Sequence, residues 1–208
     1  MNAIIFANGE FCPPDIPLEL EADDLVIAAD GGSRHCLKLG IIPDVLIGDL
    51  DSIDSETLAN WQNSGKTVIQ YPEDKDQTDL ELALIYAQKK NADEILVYGS
   101  VGGRLDMTLG NMILLAHPEL KIPITLKCGA EEIRLIKAGD SLTITGQPGD
   151  IVSLIPMQPG KSIVTTAGLK YELVSEGLEY SFTRGISNSL VGKHAEINLE
   201  SGLLAVVQ

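Results

Sequence analysis

The stretch LVIAADGGSRHCLKLG (residues 25–40) decides the fold: an apolar run, an Asp-Gly-Gly turn, then a segment with helical spacing. Five apolar residues in a row suit a strand buried on both faces, and the turn that follows opens directly into a helix. The same grammar recurs on both sides. AIIFA (3–7), VLIG (45–48), TVIQY (67–71) and EILVYG (94–99) read as strands, while DSETLANWQ (54–62), TDLELALIYAQKK (78–90) and DMTLGNMILLA (106–116) read as helices. Strands and helices in alternation predict an α/β unit with a mostly parallel, doubly wound sheet.

Beyond about Lys127 the helical spacing vanishes. EEIRLI, DSLTITG, DIVSLIP, SIVTT, LKYEL, LEYSF, AEINL and LLAVV follow one another between Gly and Pro punctuation, which predicts an all-β sandwich or barrel. The expected division is residues 1–124 and 125–208, with a short junction around Lys121–Gly129 and neither a linker nor an internal repeat.

Composition limits the function classes. With 208 residues and 44% apolar side chains the chain can bury a core, and disorder of the whole is excluded. Thirty acidic against fifteen basic residues give a formal net charge of −15, which repels nucleic acid and anionic membrane. The three cysteines, Cys12, Cys36 and Cys128, are odd in number and form no C-x-x-C pair, so they read as reduced thiols rather than a disulfide frame or zinc site. His35, His117 and His194 show neither metal-ligand spacing nor a partnered nucleophile. The start MNAIIFANGEF has no basic segment and too short an apolar run for a signal peptide, and no stretch reaches membrane-spanning length; a cytoplasmic protein is expected.

Acidic residues stand where the apolar strands stop. Asp30 follows LVIAA, Asp49 and Asp51 leave VLIG, Asp76 and Asp79 precede a helix, and Asp106 follows ILVYGSVGGR. Ligands of open α/β sheets bind beyond the carboxyl ends of the strands, so these carboxylates predict a convergent site holding a cation. Mg²⁺ carrying phosphates is the economical choice, because Mg²⁺ takes oxygen ligands shared between carboxylates and phosphates. Asp49 and Asp51, spaced i, i+2, repel unless a cation intervenes.

Local structure explains part of this pattern. Asp30 or Ser33 can cap a helix, Asp51 or Ser52 can cap the helix beginning near Ile53, and Thr78 with Glu81 reads as a capping box. Lys75 among the acids and Arg104 in its Gly-rich turn are left over, and either suits a phosphate. There is no G-x-G-x-x-G fingerprint and no P-loop, so neither of those phosphate cradles is present. Trp61, Tyr71 and the Leu/Ile stripes of the helices read as core.

The combination ADGG, LGIIPDVLIGDLDSI, DKDQTDLELAL and GGRLDMTLGN, followed by GLKY and by SN within TRGISNSLVG, resembles the thiamine pyrophosphokinase family over nearly the whole chain. That resemblance implies an N-terminal Rossmann-like catalytic domain, a C-terminal β-sandwich, transfer of pyrophosphate from ATP to the hydroxyethyl group of thiamine, and a homodimer with sites at the subunit interface. It implies that Asp49, Asp51, Asp79 and Asp106 bind Mg²⁺ and the ATP phosphates, with Arg104 beside them. Asp30, Gly31, Gly32, Lys75, Asp76, Thr78 and Arg104 match positions in or beside the nucleotide pocket, and Ser187 and Asn188 match the step lining the thiamine site. Some members carry an aromatic residue two positions beyond that asparagine, where this chain has Leu190. A kinase for another small hydroxylated heterocycle, or a thiamine or nucleotide sensor without catalysis, are the other readings of the same motifs.

Overall fold

The structure, a computed structural model, describes residues 1–13, 18–51, 53 and 55–208. It divides into two compact units, Met1–Ala130 and Glu131–Gln208. In the first unit the strands are β1 (Ala3–Phe6), β2 (Leu25–Ala29), β3 (Val45–Gly48), β4 (Thr67–Gln70), β5 (Ile95–Tyr98) and β6 (Ile124–Cys128). They are parallel and lie in the order β6-β5-β1-β2-β3-β4. Parallel neighbours need crossovers, and helices α1 (Ser33–Lys38), α2 (Ser55–Asn63), α3 (Asp79–Lys89) and α4 (Leu105–Leu114) occur along these connections. Every residue of β1 and β3 is buried, as their unbroken apolar sequences require, whereas β4 sits at the edge and exposes Thr67 and Gln70.

The chain steps outward from β1 through β2 and β3 to β4, then returns so that β5 joins the other side of β1. That reversal places the switch point of the sheet between β1 and β5. Below it lies an apolar cluster that includes Phe6, Leu46, Leu50, Trp61 and Tyr98. On α3 the buried residues Leu80, Ala83, Leu84 and Ala87 form one stripe, and Thr78 Oγ1 caps the helix by accepting from Glu81 N at 3.2 Å. The capping role considered for Ser52 falls outside the described residues.

The second unit comprises β7 (Glu131–Lys137), β8 (Ser141–Thr145), β9 (Ile151–Pro156), β10 (Lys161–Ala167), β11 (Glu176–Glu179), β12 (Asn188–Ser189), β13 (His194–Ser201) and β14 (Leu203–Val207). Antiparallel pairing builds two sheets, β12-β9-β14-β7 and β11-β10-β13-β8. Burial alternates along β9, β10 and β13, and the inward residues of both sheets make a common core with Leu154, Val164, Ile197, Leu199 and Leu204. The expected β-sandwich is what forms.

Three segments depart from the reading of the sequence. LKYEL (169–173) is no strand: Leu169 and Leu173 are buried but Lys170, Tyr171 and Glu172 all face solvent, and only Leu169 makes a bridge, to Leu190. LEYSF overlaps β11 only at Leu178 and Glu179, since Ser181 turns the chain at φ 69°. The stretch read as a junction contributes β6, paired with β5. Cys36 is buried, which pushes its thiol up to about 12, while Cys12 and Cys128 bring their sulfur atoms to 3.1 Å. Among the described residues no helix is long and apolar enough to cross a membrane.

Candidate active site

A cavity of about 560 Å³ opens at the switch point. Its walls come from the turn after β1 (Asn8, Gly9, Glu10), from Asp30 after β2, from Asp79 at the start of α3, and from the Gly99–Arg104 turn with Asn111 of α4. The two turns are stitched together, with Gly9 N donating to Gly99 O at 2.7 Å and Glu10 N to Val101 O at 3.1 Å. An added Cβ at Gly9 would lie 2.4 Å from Gly99 O, so only glycine permits this approach.

Asp30, Asp49 and Asp51 each present a carboxylate oxygen within 4.8 Å of the others. The backbone is bent to achieve this: Asp30 has φ 44° and Leu50 has φ 66°, both in the left-handed region. Leu50, between the two aspartates, is anchored in the core, and Asp51 N donates to Asp49 Oδ1 at 3.2 Å. Asp30 is held by Asn8, whose Nδ2 donates to Asp30 Oδ2 at 3.2 Å while its Oδ1 accepts from Arg34 at 2.5 Å.

The charges show the strain of this convergence. The Asp49 carboxylate raises the Asp51 carboxyl above its ordinary range. Burial raises that of Asp79, although Lys75 Nζ lies 3.1 Å from Asp79 Oδ1 and opposes the shift. Asp106 goes the other way: Arg104 grips its carboxylate with Nε at 3.1 Å and a terminal nitrogen at 2.5 Å, holding it below the usual range.

The second unit has a cavity of its own, about 400 Å³, lined by Leu154, Tyr171, Leu173, Arg184, Ile186 and Asn188 among others. Asn188 is buried, and its amide clasps the backbone of Tyr171, accepting from Tyr171 N at 3.0 Å and donating to Tyr171 O at 2.8 Å. Ser187 is exposed at φ 61°.

Comparison with known proteins matches both units to one family. The model described as thiamin pyrophosphokinase, catalytic domain, matches residues 16–126, and that described as thiamin pyrophosphokinase, vitamin B1 binding domain, matches residues 141–204. The chain belongs to the thiamine pyrophosphokinase family. Thiamine pyrophosphokinase of Bacillus subtilis is 31% identical over 196 residues, covering 94% of this chain and 92% of that protein. Thiamine pyrophosphokinase 1 of Arabidopsis thaliana is 28% identical over 222 residues, covering 96% and 82% respectively. A crystal structure of thiamine pyrophosphokinase from Bacillus subtilis aligns with a TM-score of 0.86 at 29% identity, over 99% of this chain and 98% of that one.

Of the residues that the thiamine pyrophosphokinase resemblance implied, the structure gathers Asp30 with Asp49 and Asp51, and sets Asp79 and Arg104 on the cavity wall. Asp106 stands outside the acidic group, taken up by Arg104. Asp76 and Thr78 are exposed ahead of α3. Gly31 and Gly32 are buried, and what demands glycine there is the protein itself: an added Cβ would meet Asn8 Oδ1 at 2.2 Å and Phe6 O at 1.9 Å. Leu190, at the position where some relatives carry an aromatic residue, is only 2% exposed and belongs to the core. Sequence reasoning missed Asn8, Gly9, Glu10, Arg34 and Asn111. The one available signal was the Asn8-Gly9 step directly after the apolar run AIIFA (3–7).

Proposed function

We propose that the chain transfers the diphosphoryl group of ATP to the hydroxyl of thiamine, yielding thiamine diphosphate and AMP. The observation that carries this reading is the convergence of Asp30, Asp49 and Asp51 beyond the carboxyl ends of β2 and β3, with Asp30 also on the wall of the switch-point cavity, in a chain whose family performs that reaction. Three hard oxygen donors, with the Asp51 carboxyl raised by its neighbour Asp49, suit Mg²⁺, and Asp49 and Asp51 with Asp30 would hold it. Bound there, the ion would neutralise charge on the phosphate oxygens.

The chain's own groups supply the rest. Arg104, oriented by Asp106, offers a forked donor to the phosphates from the cavity wall. The Gly102 N–H is already spent on Thr108 Oγ1 at 3.1 Å, which fixes the shape of the turn. Lys75 serves as a compact cation beside the site, tethered to Asp79. Asp79, raised by burial, is the stronger base and the better acceptor for the thiamine hydroxyl proton than Asp106, whose basicity Arg104 lowers. Positioning and charge neutralisation carry most of such a transfer, so the base contributes least.

The second unit would take thiamine along Ser187 and Asn188. We read the protein as a cytoplasmic homodimer with the site completed between subunits. Exposed Leu105, Leu109 and Ile113 on one stripe of α4 support an association surface. Sedimentation giving a monomer at micromolar concentration would refute the dimer.

The function is tested by incubating the purified protein with thiamine, ATP and Mg²⁺ and separating products by chromatography. AMP and thiamine diphosphate should appear in equal amounts and vanish with EDTA. ADP with thiamine monophosphate, or ATP consumed with thiamine unchanged, would refute it.

A further inference from the structure

Cys12 and Cys128 stand 116 positions apart, yet Cys128 Sγ donates to Cys12 Sγ at 3.1 Å. The backbone brings them together. After β1 the chain crosses the carboxyl end of β5, where Gly9 N and Glu10 N donate to Gly99 O and Val101 O, and it reaches the end of β6, where Gly129 N donates to Cys12 O at 3.2 Å. An ideal Cβ at Gly129 would lie 3.9 Å from the Cys12 Cβ, so the two stretches are in van der Waals contact. Both cysteines are half-buried, within reach of a small solute, whereas Cys36 is sealed at 0% exposure. Neither Cys12 nor Cys128 lines the 560 Å³ cavity, but Cys12 follows closely on the segment whose Asn8, Gly9 and Glu10 form one wall of it.

We infer that Cys12 and Cys128 form an oxidation site: a low-molecular-weight disulfide, the class to which glutathione disulfide belongs, converts the two thiols into one intramolecular disulfide. One protein thiolate attacks a sulfur of the small disulfide, forming a mixed disulfide and expelling a thiolate that takes up the first proton. The second protein thiolate attacks the protein-bound sulfur and expels the other half of the oxidant, which takes up the second proton. Two S–H bonds and one S–S bond break, the same number form, and two electrons pass from the protein to the oxidant. The second step joins sulfurs already in contact, so the mixed disulfide does not accumulate. The new bond fastens the cavity-wall segment to β6 and closes a loop spanning those 116 positions, which restricts the unfolded chain. In a reducing compartment both thiols persist at rest, and the link forms under oxidative load.

The test exposes the purified full-length protein to glutathione disulfide, alkylates the remaining thiols in denaturant and digests with trypsin. Cleavage after Lys and Arg leaves the three cysteines on separate peptides, 1–34, 35–38 and 128–134. Peptides 1–34 and 128–134 should run as one species two hydrogens lighter than their sum, dithiothreitol should separate them, and Cys36 should carry the alkyl group. The Tm of the oxidised protein should stand roughly 5–10 °C above that of the reduced protein, and Cys12→Ser and Cys128→Ser should each lose both the cross-link and the rise. All three thiols still alkylated after exposure, glutathione retained on the wild type, or a link through Cys36 or between two chains overturns the inference. So does a cross-linked protein whose Tm is unchanged or lower. None of these readouts depends on the reaction the protein catalyses, so the inference stands or falls apart from the functional reading.

Discussion

Replacing Gly32 with alanine should disable the acidic site without touching an acid. An ideal Cβ at position 32 lies 1.9 Å from Phe6 O, 2.5 Å from Phe6 C and 3.1 Å from Ala7 N. Those are main-chain atoms of β1 and its exit, locked between β2 and β5, so no side-chain rotation relieves the overlap. Ordinary contact requires a retreat of about 1.5 Å, and what retreats is the Asp30–Gly32 turn that carries a carboxylate of the acidic group. A displacement of about 1 Å costs on the order of a hundredfold in rate where positioning governs the reaction. Overpacking a buried contact adds about 1–3 kcal/mol of destabilisation. The assay is thiamine diphosphate formation at saturating ATP and Mg²⁺, alongside Tm. Gly110→Ala serves as control: it lies within α4 with open space around its would-be Cβ, and should gain roughly 0.5–1 kcal/mol from helix propensity. If Gly32→Ala kept normal activity and Tm, the steric reasoning would be wrong.

Three further expectations concern the metal, the core and pH. Asp49→Asn keeps the acceptor for Asp51 N but removes a charge; it should lower Mg²⁺-dependent activity about a hundredfold and abolish any rise of Tm on adding Mg²⁺, both checked against EDTA. Leu84→Ala, 1% exposed on the buried stripe of α3, should cost about 2–5 kcal/mol by denaturant unfolding, and a loss below 1 kcal/mol would contradict the packing. His35 Nε2 donates to Gly9 O across 3.0 Å and the ring stacks on Phe11; burial lowers the imidazole below its ordinary value of 6.5, with Lys38 and Arg34 adding to the shift. The unfolded chain therefore takes up the proton first, so this contribution is complete above pH 6.5 and is lost as pH falls through that value. The raised carboxyls of Asp51 and Asp79 act oppositely, gaining stability on acidification, so the readout is the difference in Tm slope between wild type and His35→Gln from pH 7.5 to 5.5. The variant should show the shallower decline, and equal slopes would exclude His35.

Much of the first unit was legible because its information is local. An unbroken apolar run announces a doubly covered strand, and the residue after it is delivered to the carboxyl edge, which is how Asp30, Asp49 and Asp51 could be placed together. Asn8, Glu10 and Arg34 were hidden for the converse reason. Their roles arise from β1 lying beside β5 and from Asn8 reaching both Asp30 and Arg34, contacts between residues more than twenty positions apart. LKYEL misled because its composition suits a strand, while a single buried asparagine seventeen residues on takes the backbone hydrogen bonds a neighbouring strand would need. Asp106 shared the spacing of the other acids, but nothing in spacing reveals that Arg104, two residues before it, would claim its carboxylate.

Trp61 is the chain's sole tryptophan and is buried in the cluster beneath the parallel sheet, and residues 131–208 contain none. Intrinsic fluorescence excited at the indole band is therefore blind to the sandwich, whereas far-ultraviolet circular dichroism registers both halves. A protein of two compact units need not melt in one step. The gap between the two optical melting curves measures directly how far the vitamin-binding half can come apart before, or after, the half that gathers the carboxylates.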